Sequence, residues 1–172
     1  MIEYKIGDLL KDCTAPFLVH QVNCMGIMGG GIAAQIRKQN PKLYESYVKL
    51  CNKQKFVGEL LDCIQVLEVD DFDPKENCQY IINCFAEENV SNSSKTTSYD
   101  ALDECMMGIR KYCNEVFPLG CTIGIPYKIG CGLGGGNWKI VEAIIAKNFP
   151  SSGNINVEVW VLPELQYEVE EL

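Results

Sequence analysis

The sequence predicts an α/β protein whose parallel or mixed sheet is covered by helices on both faces. Apolar segments of strand length alternate along the chain with amphipathic segments of helix length, and strands joined through helices require crossover connections. Two of the strands lead through glycine-rich loops directly into helices. The chain has 172 residues, enough for one hydrophobic core, and no internal repeat or linker divides it. We therefore expect residues 1–172 to form a single domain.

The spacing of apolar residues predicts each element in order. The strands are predicted at residues 2–6, 17–22, 60–67, 79–85, 121–127 and 156–162, and the helices at residues 31–39, 43–52, 98–116 and 138–148. The third helix has the clearest apolar stripe and follows Thr97 or Ser98 as its N-cap, and Asn137 is the predicted N-cap of the fourth. Residues 70–77 and 87–95 are polar and predict surface loops, whereas the acidic segment 164–172 predicts a frayed end.

The net charge of the chain limits the classes of molecule that it can bind. The chain has 15 Lys and Arg against 23 Asp and Glu, which gives a net charge of −8. An acidic protein repels the phosphates of nucleic acids and the surface of anionic membranes, so a nucleic-acid scaffold is excluded. No apolar run approaches the length of a membrane span, and Met1 is followed by a charged segment rather than by a signal peptide. We therefore expect a soluble, cytoplasmic protein.

The ten cysteines predict packing rather than metal binding. No two of them are separated by only two residues, and a single His cannot complete a Cys/His zinc site. Several, such as Cys63, Cys84, Cys105 and Cys113, stand among apolar residues, where a reduced thiol behaves as a small hydrophobic group. Cys131 lies within a glycine loop and is the one thiol for which a role beyond packing is considered.

Two loops share the plan of apolar strand, glycine-rich segment and helix. The first glycine loop spans residues 23–31 and the second glycine loop spans residues 128–136. Glycine permits positive φ and lets backbone N–H groups approach a ligand, and the N-terminus of a helix adds unpaired N–H donors. Together the loops predict a phosphate-binding cleft made of backbone. The alternative is that the glycines serve only tight turns, and a GxGxxG match at Gly130, Gly132 and Gly135 is too late in the chain for a dinucleotide fold.

Three stretches of the chain resemble the signature motifs of macrodomains, which bind ADP-ribose. They are the Gly7-Asp8-Leu9 turn, the segment from Val22-Asn23 to Gly29-Gly30-Gly31-Ile32-Ala33, and the loop at residues 129–136. The resemblance covers nearly the whole chain and implies a three-layer α/β/α sandwich with a mixed sheet of about six strands. We accordingly expect a single macrodomain and a small-molecule ADP-ribose derivative as partner. We expect no cofactor, no metal, no nucleic-acid polymer, no membrane, and a monomeric protein.

The resemblance also implies the roles of individual residues. Asp8 accepts a hydrogen bond from the adenine amino group with Leu9 beside it, unless it is an ordinary N-cap, and Asn23 contacts the distal ribose. The two loops wrap the diphosphate and the distal ribose. The implied ligand-binding residues are Asp8, Leu9, Asn23, Gly29, Gly30, Gly31, Ile32, Ile129, Gly130, Cys131, Gly132, Leu133 and Gly134. Tyr127 and Phe85, at strand ends beside the cleft, are further candidates for lining it.

Among macrodomains, the chain is most similar to the branch that contains phosphatases acting on ADP-ribose 1″-phosphate. In that branch a His lies three residues before the Asn of the first loop, and His20 matches it. An imidazole suits proton transfer near neutral pH, so His20 is the candidate catalytic residue, with a core histidine as the alternative. No residue matches the acidic catalytic residue of this branch.

The neighbouring branch comprises ADP-ribosyl glycohydrolases, some of which act on DNA. These use a Lys shortly after the fourth strand and an Asp in the late loop. This chain has Phe85-Ala86-Glu87-Glu88 at the first position and Gly134 at the second. Phosphatase activity on ADP-ribose 1″-phosphate is therefore the preferred function. ADP-ribosyl hydrolysis, including deacetylation of O-acetyl-ADP-ribose, and ADP-ribose reading without catalysis stay as alternatives.

Overall fold

Six strands form one mixed sheet between two layers of helices, as the sequence predicts. The protein is described by a computed structural model that covers residues 2–70, 78–90 and 94–169. The elements are β1 (Ile2–Ile6), α1 (Leu9–Asp12), β2 (Phe17–Asn23), α2 (Gly31–Gln39), α3 (Pro41–Cys51), β3 (Ile64–Glu68), β4 (Tyr80–Glu87), α4 (Tyr99–Val116), β5 (Cys121–Pro126), α5 (Trp138–Asn148), β6 (Ile155–Val161) and a C-terminal 3₁₀ helix (Pro163–Glu168).

The strand order is β1-β6-β5-β2-β4-β3, and only β3 is antiparallel to its neighbour. All five parallel strands therefore end at the same edge of the sheet. Because the chain leaves β2 and β5 at this edge through the two glycine loops, both loops lie side by side there. This topology places the candidate site at the carboxyl edge of the parallel strands, beside the two glycine loops.

Alternation along β2 divides the core between the two faces of the sheet. Phe17 and Val19 pack with α4 and α5, whereas Leu18 packs with residues of α1, α2 and α3. Central strands covered on both faces become apolar throughout, and β2 and β4 are accordingly almost completely buried. His20, which belongs to the second face, is thereby placed inside the protein.

Several boundaries differ from the predicted ones. Pro41 begins α3, two residues before the predicted start, because a proline in the first turn loses no helical hydrogen bond. β3 begins only at Ile64, after a turn, and β4 extends to Glu87, two residues beyond the prediction. Helix α1 has four residues, too few for a periodic signal, and was not predicted. Residues 71–77 of one predicted loop and 91–93 of the other lie outside the described residues.

The prediction of a frayed end is wrong for the C-terminal 3₁₀ helix. Glu168 accepts a hydrogen bond from the Tyr127 hydroxyl at 3.3 Å and forms an ion pair with Lys128. Tyr127 and Lys128 lie where β5 leads into the second glycine loop, so this helix is attached beside the cleft. An acidic, weakly periodic segment gave no sign of these contacts.

The packing role predicted for most of the cysteines is confirmed. All ten thiols are free, and seven are buried. Cys63 is exposed at the turn before β3, which contradicts the prediction that it fills the core. Across residues 2–70, 78–90 and 94–169, no helix has the length and hydropathy of a membrane span.

Candidate functional site

A cavity of about 580 Å³ lies along the carboxyl edge of the parallel strands. Its walls come from the β1–α1 turn, the first glycine loop, the end of β4, the second glycine loop and the C-terminal 3₁₀ helix. Crevices at this edge of an α/β sheet are the usual place for ligands. With neighbouring strands about 4.8 Å apart, the four strand spacings from β1 to β4 give a cleft roughly 19 Å long. The ends of the cleft are chemically different.

The β1 end combines one carboxylate with apolar walls. Asp8 caps α1, with its Oδ1 accepting the Leu10 N–H at 2.9 Å and its Oδ2 paired with Lys11 at 3.0 Å. Leu9 and Trp160 line the cavity beside it. Asp8 is therefore an N-cap and a cavity residue at the same time, so the two alternatives drawn from the sequence are compatible. A carboxylate has about four acceptor positions, and the two contacts leave room for a ligand donor.

The side chain of Asn23 organises the first glycine loop. Its Oδ1 accepts the backbone N–H groups of Met25 at 3.0 Å and Ile27 at 3.2 Å, and the Tyr47 hydroxyl lies 2.9 Å away. Its Nδ2 donates to the Ile27 carbonyl at 2.7 Å. One Nδ2 hydrogen is left, and Asn23 lines the cavity. Asn23 thus shapes the loop first and offers at most one donor to a ligand.

The first glycine loop ends at the N-terminus of α2, which borders the cavity. Gly30 is the N-cap and has no side chain with which to satisfy the first-turn N–H groups. Gly31, Ile32 and Ala33 of that turn line the cavity. The helix has nine residues, and its unpaired N–H groups with the aligned peptide dipoles create a positive potential at this point.

The second glycine loop faces the first across the cavity. Its backbone turns at Lys128, Gly130 and Gly135, all of which have positive φ. The N–H groups of residues 132–134 have no acceptor in the part of the chain that the structure describes. Leu133 rests against the opposite loop so closely that a Cβ at Gly30 would lie 2.6 Å from its Cδ1. Two sets of unpaired N–H groups therefore border the middle of the cleft.

The β4 end holds a connected polar cluster that sequence reasoning missed. Glu87 Oε1 accepts from Gln21 Nε2 at 2.6 Å, and the same Nε2 donates to Thr97 Oγ1 at 2.8 Å. The Thr97 hydroxyl donates to the Gly130 carbonyl at 2.7 Å, which joins the cluster to the second glycine loop. Burial raises the pKa of the Glu87 carboxyl, and hydrogen bonds from Gln21 and Thr96 partly oppose this shift. The signal available in the sequence was a carboxylate two residues after the predicted strand at 79–85.

His20 does not belong to the cavity, which corrects its prediction as the catalytic residue. Its side chain has no solvent exposure, and its Nε2 lies 2.6 Å from Oδ1 of Asn83, its register partner on β4. Asn83 is oriented by its own bond from Nδ2 to Gln65 Oε1 at 3.0 Å, so the imidazole donates through Nε2. Burial lowers the pKa of His20 to about 4. The alternative of a core histidine is the one the structure supports.

Two other candidates are also placed away from the cavity. Cys131 is half-buried against the α4 and α5 core, with Sγ 3.4 Å from the Ile129 carbonyl, and burial raises the pKa of its thiol. Phe85 is fully buried beside Tyr47. The remaining residues of the implied ligand-binding set all line the cavity, as does Tyr127. Among the described residues, no cluster of three or more His, Cys, Asp or Glu side chains is arranged to hold a metal ion.

The sequence profile of the Macro domain family matches residues 19–145, which include both glycine loops and the end of β4. The chain belongs to this family. The match confirms the resemblance drawn from the three motifs. The mixed sheet between helical layers is the macrodomain fold.

Among curated proteins, the macrodomain is 29% identical over 161 residues to a DNA ADP-ribosyl glycohydrolase of Mycobacterium tuberculosis, covering 93% of this chain. The chain spans only 42% of the length of that relative. It is 27% identical over 164 residues to the ADP-ribose 1″-phosphate phosphatase of Meyerozyma guilliermondii, covering 86% of this chain and 93% of that protein.

Solved structures confirm the fold. The macrodomain of Mycobacterium tuberculosis DarG superposes with a TM-score of 0.77 at 24% identity, over 93% of this chain and 97% of that one. Thermosipho africanus DarTG in complex with ADP-ribose superposes with a TM-score of 0.68 at 18% identity, over 88% of this chain and 39% of that one.

Proposed function

We propose that this macrodomain binds ADP-ribose and hydrolyses ADP-ribose derivatives, with ADP-ribose 1″-phosphate as its substrate. The observation that carries the proposal is the pair of glycine loops, whose unpaired N–H groups face each other across the middle of the cleft. A diphosphate fits this position because oriented N–H groups bind phosphate oxygens without charged side chains. A protein of net charge −8 can bind an anionic nucleotide in this way.

The order of chemical groups along the cleft supports ADP-ribose as the ligand. The adenine is proposed to lie at the β1 end, where Asp8 offers an acceptor to its amino group and Leu9 and Trp160 offer apolar surface. The diphosphate then lies over β5 and β2, between the loops. The distal ribose reaches the β4 end, beside Asn23 and Glu87. A nucleoside diphosphate with a second sugar has these groups in this order.

The phosphatase activity is preferred for two reasons. The relative named as an ADP-ribose 1″-phosphate phosphatase is matched over nearly its whole length, whereas the glycohydrolase is a protein of more than twice the matched length. The second reason is that the half-buried carboxyl of Glu87 lines the β4 end of the cavity, the end proposed above for the distal ribose. Removal of an ADP-ribosyl group is the second candidate, favoured by the same carboxyl, and binding without turnover is the third.

Release of inorganic phosphate from ADP-ribose 1″-phosphate tests the proposal. We expect the wild-type protein to release one phosphate per substrate and to leave ADP-ribose, as followed by a phosphate assay with chromatography of the nucleotide. The control is ADP-ribose itself, which lacks the 1″-phosphate and should release no inorganic phosphate. Cleavage of ADP-ribosylated protein with no phosphate release would support the second candidate, and binding with no turnover of either substrate would support the third.

A further inference from the structure

We propose that Glu87 is the catalytic acid that protonates the leaving oxygen, and that Gln21 is the residue that positions it. The inference rests on the proposed function, because it assigns a proton donor to that hydrolysis. Glu87 is the last residue of β4, lines the cavity and is half-buried. It lies at the end of the cleft where the distal ribose is placed.

The carboxyl is held in one orientation. Gln21 Nε2 donates to Glu87 Oε1 at 2.6 Å, and its second hydrogen bond, to Thr97 at 2.8 Å, uses the other Nε2 hydrogen. The Gln21 amide is therefore fully committed as a donor and is anchored through Thr97 to the Gly130 carbonyl at 2.7 Å. This chain of hydrogen bonds fixes the position of the Glu87 carboxyl relative to the second glycine loop, which is proposed to hold the phosphates.

Gly134 leaves the space that the carboxyl occupies. A Cβ at this position would lie 2.6 Å from Glu87 Oε1 and still closer to Thr97 Oγ1. The carboxyl therefore packs directly on the backbone of the second glycine loop. Glu87 reaches the phosphate-binding surface from β4, and the loop itself supplies no side chain there.

The surroundings of Glu87 favour its protonated form more than water does. No Lys or Arg among the described residues forms an ion pair with it. The Lys95 Nζ lies 3.7 Å from the centre of the Tyr99 ring, and Lys128 forms an ion pair with Glu168 of the C-terminal 3₁₀ helix. Burial raises the pKa of the Glu87 carboxyl, and the hydrogen bonds from Gln21 and Thr96 oppose this shift only in part.

Neither Asp8 nor His20 can take this role. Asp8 lies at the opposite end of the cleft, with its oxygens bound by the Leu10 N–H and by Lys11. His20 is fully buried and lies outside the cavity walls. In the described ranges, Glu87 is thus the one acid among the cavity residues at the β4 end.

The step balances without any further reagent. Water attacks the phosphorus while the bond from phosphorus to the C1″ oxygen breaks, and the Glu87 carboxyl gives its proton to that oxygen. The products are ADP-ribose with a 1″-hydroxyl, dihydrogen phosphate and the Glu87 carboxylate. The carboxylate then takes up a proton from dihydrogen phosphate or solvent, which restores the acid. The oriented N–H groups of the loops hold the phosphate oxygens during transfer.

The test compares Glu87→Gln with Glu88→Gln, which removes an exposed neighbouring carboxyl outside the cavity. We expect Glu87→Gln to lower kcat for phosphate release by about a hundredfold or more, the range for loss of a general acid. ADP-ribose affinity, measured by calorimetry, should change by less than about threefold because the amide keeps the shape of the side chain. Glu88→Gln should match the wild type in both measurements.

The pH profile tests the positioning role of Gln21. The wild-type kcat should decline as the pH rises through the pKa of Glu87, because the acid form is required. Gln21→Ala removes a hydrogen bond that favours the charged carboxylate, so the decline should move to higher pH. An unmoved profile would overturn the role of Gln21. Phosphate release by Glu87→Gln at the wild-type rate would overturn the role of Glu87 alone, whereas no release by the wild type would remove the proposed function together with the inference.

Discussion

An alanine at Gly134 lowers the affinity for ADP-ribose by about a hundredfold, equivalent to roughly 2.7 kcal/mol of binding free energy. Its Cβ would lie 2.6 Å from Glu87 Oε1 and 2.8 Å from the Gly130 carbonyl oxygen. The Gly134 carbonyl also accepts the N–H groups of Thr96 at 3.0 Å and Thr97 at 3.1 Å. Since neighbours on both sides are backbone or hydrogen-bonded groups, the loop itself has to move, and its N–H groups lose their alignment with the diphosphate.

The matched control is Gly108→Ala, which adds the same methyl group within α4. A Cβ at Gly108 meets only Ile64, at ordinary van der Waals distances of 3.7 to 3.8 Å. This variant should keep the wild-type affinity and gain up to about 1 kcal/mol of stability from the better helix propensity of alanine. Calorimetric titration with ADP-ribose and thermal unfolding of all three proteins measure both effects. Wild-type affinity in Gly134→Ala would show that the close packing of the second glycine loop does not matter for binding.

The stability of the protein decreases by about 3 kcal/mol through His20 alone when the pH falls from about 6.5 to about 4. Burial lowers the pKa of the folded-state imidazole to about 4, while the unfolded chain takes up a proton near 6.5. The unfolded state therefore binds more protons between these values. The contribution of His20 is complete above the unfolded-state pKa and is lost as the pH decreases toward the folded-state pKa.

Comparison with His20→Gln isolates this contribution from those of the carboxylates. At pH 7.5 the variant should be less stable than the wild type by about 2 to 3 kcal/mol, because a buried ring and its bond to Asn83 are lost. The difference should shrink by about 3 kcal/mol at pH 4, as urea unfolding at each pH would show. ADP-ribose affinity at pH 7.5 should stay within about threefold of the wild type. A stability difference that is independent of pH would contradict a neutral core imidazole.

The features that could be predicted from the sequence are those that depend on local periodicity and turn chemistry. The apolar stripe of α4, the N-caps at Ser98 and Asn137, and the two glycine loops all involve residues close together in the chain, and each is confirmed. The resemblance of the Gly7-Asp8-Leu9 turn and both loops to macrodomain motifs then predicted the three-layer fold with its mixed sheet. Nearly all the implied ligand-binding residues line the cavity because those loops meet at one edge of the sheet.

The errors concern contacts between distant segments. His20 stands three residues before Asn23 in the chain, but alternation along β2 turns its ring to the α1–α3 face of the sheet. There its Nε2 is hydrogen-bonded to Asn83 of β4. Glu87 was assigned to a loop because the apolar signal of β4 ends at Ala86. The C-terminal 3₁₀ helix is held through Glu168, a contact over about forty residues. Periodicity carries no information on which strands become neighbours or on which end of a strand faces a cleft.

The central claim is that the paired glycine loops form an ADP-ribose site, and calorimetric titration with ADP-ribose tests it most directly. We expect one site per chain, with binding weakened at least about tenfold for AMP, which lacks the second phosphate and the distal ribose that the loops contact. The same titration with Gly134→Ala should give the hundredfold weaker affinity derived above. Absence of ADP-ribose binding by the folded wild-type protein, or equal affinity for AMP and ADP-ribose, would contradict the account.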